Sequence, residues 1–101
     1  MFVAVALLEL HIEFAHSLKE KRMVVKSLRD RLRSRFEVSA AEVGMQDVHQ
    51  RSRLAISFVT GDRKTAESLL SRMQDFIESN TDAVVSGWTH ELLDFDEDAG
   101  L

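Results

Sequence analysis

Residues 2–36 read FVAVALLELHIEFAHSLKEKRMVVKSLRDRLRSRF, a β-type run followed by a capped amphipathic helix. The first part is rich in β-branched and aliphatic side chains and ends in alternation, with Leu8, Leu10 and Ile12 set against Glu9 and His11; this predicts a strand over residues 2–12 with one face in the core. By the same parity Val3, Val5 and Leu7 join Glu9 and His11 on the opposite face, which is therefore partly apolar. Ser17-Leu18-Lys19-Glu20 then forms a capping box, in which the Ser17 hydroxyl accepts from the Glu20 amide and the Glu20 carboxylate reaches back to the amide of Ser17. Val24, Val25, Leu28, Leu32 and Phe36 fall at helical spacing, so the helix runs to about Arg35 with that stripe buried.

Working outward, a second strand is expected over 37–43, a hairpin loop over 44–50, and a third strand over 51–60 that alternates Leu54, Ile56 and Phe58 with smaller residues. Gly61-Asp62 punctuates the chain, and Asp62 is placed to cap a second helix whose stripe is Ala66, Leu69, Leu70, Met73, Phe76 and Ile77. Asn80 and Thr81 end that helix, a last strand covers 83–93, and residues 94–101 form an acidic, loosely ordered tail. The order is βαββαβ. Short connections and right-handed crossovers then favour an α+β, ferredoxin-like fold: a four-stranded antiparallel sheet with two helices on one face. With no proline, four glycines and no repeats, residues 1–101 read as a single domain, and a chain of this length buries roughly two-thirds of its unfolded surface.

Cysteine is absent, which excludes disulfides, thiolate nucleophiles and cysteine metal sites and suits a reducing, cytoplasmic compartment. The longest apolar run, Phe2 to Leu8, is too short to cross a bilayer and has no basic flank, so no membrane partner is expected. The net charge of −4 conceals a segregation: residues 19–35 hold eight of the thirteen basic residues and net +6, while the rest of the chain carries −10, with five acids between Glu91 and Asp98.

The run His16-Ser17-Leu18-Lys19-Glu20-Lys21-Arg22, then Lys26-Ser27-Leu28 and Arg31-Leu32-Arg33 before Phe36, resembles the YlxP-like family of small bacterial proteins, a domain of unknown function. Val38-Ser39-Ala40-Ala41-Glu42-Val43, Asp47 and Gln50-Arg51 extend the resemblance through most of the chain. His49 departs from it, because the family often carries an aromatic residue there. The resemblance implies a ferredoxin-like fold and a translation-linked setting, among genes for initiation and ribosome-maturation factors, with no catalytic residues to carry over.

At 100° per residue Lys19, Arg22, Lys26, Arg29 and Arg33 share one stripe of the first helix, a basic ridge about 21 Å long that can follow several phosphates of RNA. The bland alternative is a solvated helix face, partly neutralised by Glu20 and Asp30. The sheet lacks the base-stacking aromatics of the common RNA-recognition motif: tyrosine is absent, and Phe58, the one ring of the third strand, shares the core parity of Leu54 and Ile56. Of the four histidines, His11, His16, His49 and His90, none forms a tight ligand pair, but the topology brings the loop of His16 to the same end as Asp47 and His49, leaving a cluster of those three as one reading and an ordinary polar rim as the other. A nucleophilic Ser17 is explained away by its cap, and Gly61-Asp62-Arg63-Lys64 is a weak phosphate cradle.

The leading expectation is a non-catalytic accessory protein of translation or ribosome maturation, not an enzyme and without a cofactor, that binds RNA or a ribosomal subunit through the basic ridge. The alternative is a homo-oligomeric interaction module, paired through Val3, Val5 and Leu7 of the open sheet face with Trp88 or Leu92 beside them; the reading opposed to self-association is that the acidic C-terminal segment folds back across part of this face. A third is a regulatory domain that takes a small ligand or metal at the loops of His16 and His49.

Overall fold

The computed structural model of the chain describes residues 1–100. Its elements are β1 (Phe2–His11), α1 (Leu18–Phe36), β2 (Ser39–Gly44), β3 (Arg51–Thr60), α2 (Arg63–Ser79) and β4 (Val84–Asp94). The sheet order is β2-β3-β1-β4 with every neighbouring pair antiparallel, so the long hydrophobic β1 is interior and β2 and β4 are the edges. This is the expected ferredoxin-like arrangement.

The parity read from β1 holds. Ala4, Ala6, Leu8 and Leu10 are fully buried, and they meet Leu54, Ile56 and Phe58 of β3 and the stripes of both helices in one contiguous core. α1 contributes Val25, Leu28 and Leu32, and α2 contributes Ala66, Leu70, Met73 and Ile77; Val24, Phe36, Leu69 and Phe76 pack at the margin. Both helices therefore cover one sheet face, and the other face stays open.

Both helix starts are capped as their sequences require. The Glu20 amide donates to Ser17 Oγ at 3.1 Å, while the Glu20 carboxylate accepts from the amide of His16 at 2.7 Å, one residue earlier than expected. Asp62 accepts from the Thr65 amide at 2.9 Å and from its hydroxyl at 2.8 Å. The carboxylate of Asp62 thus occupies the anion-seeking helix terminus, and the guanidinium of Arg63 lies 4.9 Å from the Phe2 ring centroid, so Gly61-Asp62-Arg63-Lys64 is a capped helix start and not a phosphate cradle.

Three local readings are corrected. β2 begins at Ser39, not at Glu37, because Glu37 takes a left-handed backbone (φ 53°) and its amide closes α1 on the Arg33 carbonyl at 3.1 Å. Trp88 and Leu92 lie on the helix side of the sheet, packed against the core, because they pair with Leu8 and Ala4; a bulge at Ser86, between Glu9–Gly87 and Leu10–Val85, turns Val85 to the same side. The acidic segment does not fold across the open face: Phe95 exchanges hydrogen bonds with Met1 at 2.8 and 3.1 Å, which carries the chain on in line with β4.

The hydrogen bonds from Thr65 hold the Asp62 carboxyl below its ordinary value. A depressed folded-state pKa adds stability above the unfolded value, and that stability is lost as pH falls through the lowered one. Asp62→Asn keeps a capping oxygen without titrating. Thermal melts should therefore show the wild-type protein ahead of Asp62→Asn near neutral pH, with the gap closing at acid pH.

Candidate nucleic-acid interface

α1 presents two different cationic arrangements, separated by helical phase. Lys21 falls four residues before Val25 and seven before Leu28, in the middle of the core stripe, and its side chain is fully buried. Its ammonium donates to the carbonyls of Met45 at 2.8 Å and Gln46 at 3.1 Å, with a longer contact to that of Arg51 at 3.4 Å, and it pairs with Glu42 Oε2 at 3.0 Å. Ser52 Oγ, also buried, donates to the same carboxylate oxygen.

The hairpin is shaped to make this cage. Glu42 lies on the helix side of β2, opposite Leu54, and the register then shifts so that Gly44 faces Arg53. Met45 follows with a left-handed backbone (φ 59°), turning its own carbonyl and that of Gln46 toward the ammonium. Gln50 ties the same loop to the β1–α1 connection, its side-chain amide donating to the carbonyls of Glu13 at 3.1 Å and Ala15 at 3.4 Å, and its carbonyl accepting from the Ile12 amide at 2.7 Å. The two loops therefore share one end of the sheet, as the topology requires. No three His, Asp or Glu side chains among the described residues come close enough to hold a metal ion, so His16, Asp47 and His49 form no such cluster.

The second arrangement is the ridge. Lys19, Arg22 and Lys26 are exposed, and among the described residues none of the three has a carboxylate within 4.0 Å. The other two ridge residues are engaged: Arg29 pairs with Asp30 at 3.2 Å, and Arg33 donates to the Ala40 carbonyl at 2.7 Å. Arg22, Lys26 and Arg29 line a groove of about 210 Å³ between α1 and β2, with Val25 and Glu42 completing its walls. Because β2 is an edge strand, the groove runs beside an unpaired strand edge. A row of cations on a fixed helix is suited to an extended anionic chain.

The residues that carry the family resemblance thus divide by task. Ser17 and Glu20 cap α1, Lys21 and Glu42 form the buried pair, and Gln50 joins the loops, whereas His16, Lys19 and Arg22 keep exposed side chains. A separate cleft of about 320 Å³ between the ends of the two helices went unforeseen in the sequence. There Arg35 lies 5.1 Å from the Phe76 ring centroid and Arg72 lies 5.9 Å from that of Phe36. Its aromatic residues sit in the helix stripes and read as core, which hid the stacking.

A four-stranded antiparallel sheet with a capped basic helix over one edge defines a small ferredoxin-like α+β domain. The chain belongs to the family described as protein of unknown function (DUF503), whose model matches residues 3–89. It is also 43% identical over 65 residues to the Bacillus subtilis (strain 168) protein named "Uncharacterized protein YlxP", an alignment that spans 64% of this chain and 71% of that one. Among the described residues no helix is long and apolar enough to cross a membrane.

Removing the ammonium leaves a largely buried carboxylate and its carbonyl partners without a cation. Lys21→Met should cost about 3 kcal/mol or more in urea unfolding. Adding Glu42→Gln should recover part of that loss, because the uncompensated charge goes too.

Proposed function

We propose that this protein is a non-catalytic, cytoplasmic accessory factor of translation or ribosome maturation that binds RNA or a ribonucleoprotein surface along α1. The observation that carries the reading is the difference between neighbours on one helix: Lys21 is consumed inside the protein, while Lys19, Arg22 and Lys26 stand exposed without a carboxylate within 4.0 Å among the described residues, the latter two lining the β2 groove. The Lys21 cage and the Ser17–Glu20 cap hold the first turns of α1, so little side-chain or backbone ordering beyond the ridge itself opposes binding. Phosphates are the fitting ligand, since lysine and arginine along 3,4-spaced positions neutralise successive charges and release their counterions. The translation setting is what the family resemblance implies.

Arg33 plays a smaller part than its place in the ridge suggests, because its guanidinium already serves Ala40. The base-stacking mode of sheet-binding RNA proteins has no support here, as Phe58 is buried in the core.

Cosedimentation with ribosomal subunits across a salt series tests the reading. Wild-type binding should weaken steeply as salt rises, and the variant Arg22→Glu, Lys26→Glu, Arg29→Glu should lose it while unfolding within about 0.5 kcal/mol per position of the parent. Binding that survives in the variant would rule out the ridge.

A further inference from the structure

The open sheet face carries a charge pattern as well as an apolar patch. Along it the register aligns Val3 with Val59 and Leu93, Val5 with Ser57 and Glu91, Leu7 with Ala55 and Thr89, and Glu9 with Arg53 and Gly87. Val5, Leu7, Val59 and Leu93 are 40, 36, 64 and 51% exposed, a contiguous apolar surface in a protein of 101 residues.

Two charged corners flank it. On β3, Arg51 and Arg53 share a single carboxylate, Glu9, at 2.8 and 3.6 Å, so that corner keeps a positive charge in excess. On β4, Glu91 has no cation within 4.0 Å among the described residues. Arg53 lies one strand to one side of β1 and two residues along from Leu7, while Glu91 lies one strand to the other side and two residues back. Leu7 is therefore the midpoint between opposite charges placed diagonally across the sheet.

That pattern is complementary to itself. A two-fold axis parallel to the sheet, passing above Leu7 and perpendicular to the Arg53–Glu91 diagonal, lays each positive corner over the partner's negative one and sets Leu7 on Leu7. With strands about 4.8 Å apart and about 3.3 Å per residue, the strands of the two copies then cross at roughly 70°. This is close to the orthogonal class of sheet packing, whereas in an aligned packing about Leu7 Arg53 would face the uncharged Gly87 or Ser57.

We propose that the open sheet face is the interface of a two-fold symmetric homodimer, with Leu7 packed on Leu7 at its centre and Arg53 of each copy set against Glu91 of the other. A surface whose own rotation supplies both its apolar cover and its counter-charges fits a second copy of this chain better than an unrelated partner. The interface lies on the side of the sheet away from the helices, so the dimer would carry two outward-facing basic ridges, and its existence does not depend on RNA binding.

Sedimentation equilibrium from micromolar to several hundred micromolar protein, without nucleic acid, tests the proposal. The wild-type protein should dimerise, and Leu7→Glu should be monomeric with its circular dichroism retained. Arg53→Glu and Glu91→Arg should each weaken the dimer at least about tenfold, by placing like charges together. Mixed in equal amounts, these two variants should form a heterodimer of near wild-type affinity, since the introduced glutamate of one chain would face the introduced arginine of the other, and the unaltered Glu91 of the first would face the unaltered Arg53 of the second. A protein monomeric at every concentration, a dimer indifferent to both reversals, or a mixture no tighter than its components would overturn the proposal.

Discussion

The ammonium of Lys21 sits where water cannot reach it, and the end of the molecule that carries the ridge is organised around that charge. Leaving an ion in such a place costs several kcal/mol unless nearly every bond it made to water is replaced. Here Glu42 supplies the counter-charge and the carbonyls of Met45 and Gln46, with a longer contact to Arg51, supply the remaining acceptors. Those partners come from β2, the hairpin loop and β3, so a single side chain of α1 fixes the helix against three non-local segments. It also sets the rotation of the helix: with Lys21 pointing inward beside Val25 and Leu28, the stripe of Lys19, Arg22 and Lys26 must point outward over the β2 edge.

The segregation of charge along the sequence becomes a segregation in space. The sheet order puts β2, with the basic helix over it, at one edge and β4, with its acids and the acidic segment that follows, at the other. Opposite charges held on opposite edges cancel less at short range than the same charges interspersed would, so a protein of net −4 can still offer a cationic surface. The ridge and the open sheet face differ in kind. The ridge is polar, rigid and open-ended; the sheet face is apolar along its middle, with Arg51, Arg53 and Glu9 at one corner and Glu91 at the other.

The strands and helices were largely legible because their signals are short-range. Alternation in β1 separates Leu8 and Leu10 from Leu7 and Glu9 within a few residues, and the 3.6-residue period of α2 marks its buried stripe. Where reading failed, a local exception broke the period. Val85 and Trp88 both face the core although simple alternation would oppose them, because Ser86 is an extra residue in the bulge. Glu37 ends α1 in a left-handed conformation with no glycine to announce it. The Lys21–Glu42 pair is a different case: Lys21 is in phase with Val25, Leu28 and Leu32, and Glu42 with Val38 and Ala40, so two opposite charges stood at core positions in plain view, hidden by the general preference of such residues for water.

By itself the sequence determined the order of elements, their buried faces and the stripe of α1 that carries the basic ridge, because each follows from backbone geometry acting over a turn of helix or a few residues of strand. Only the tertiary structure decided which cations are available. Whether a lysine is a buried latch or an exposed contact, and whether Arg33 is free or bound to Ala40, depends on carbonyls and carboxylates brought close by the fold, many of them tens of residues away in the chain, and a local pattern does not encode where those will lie.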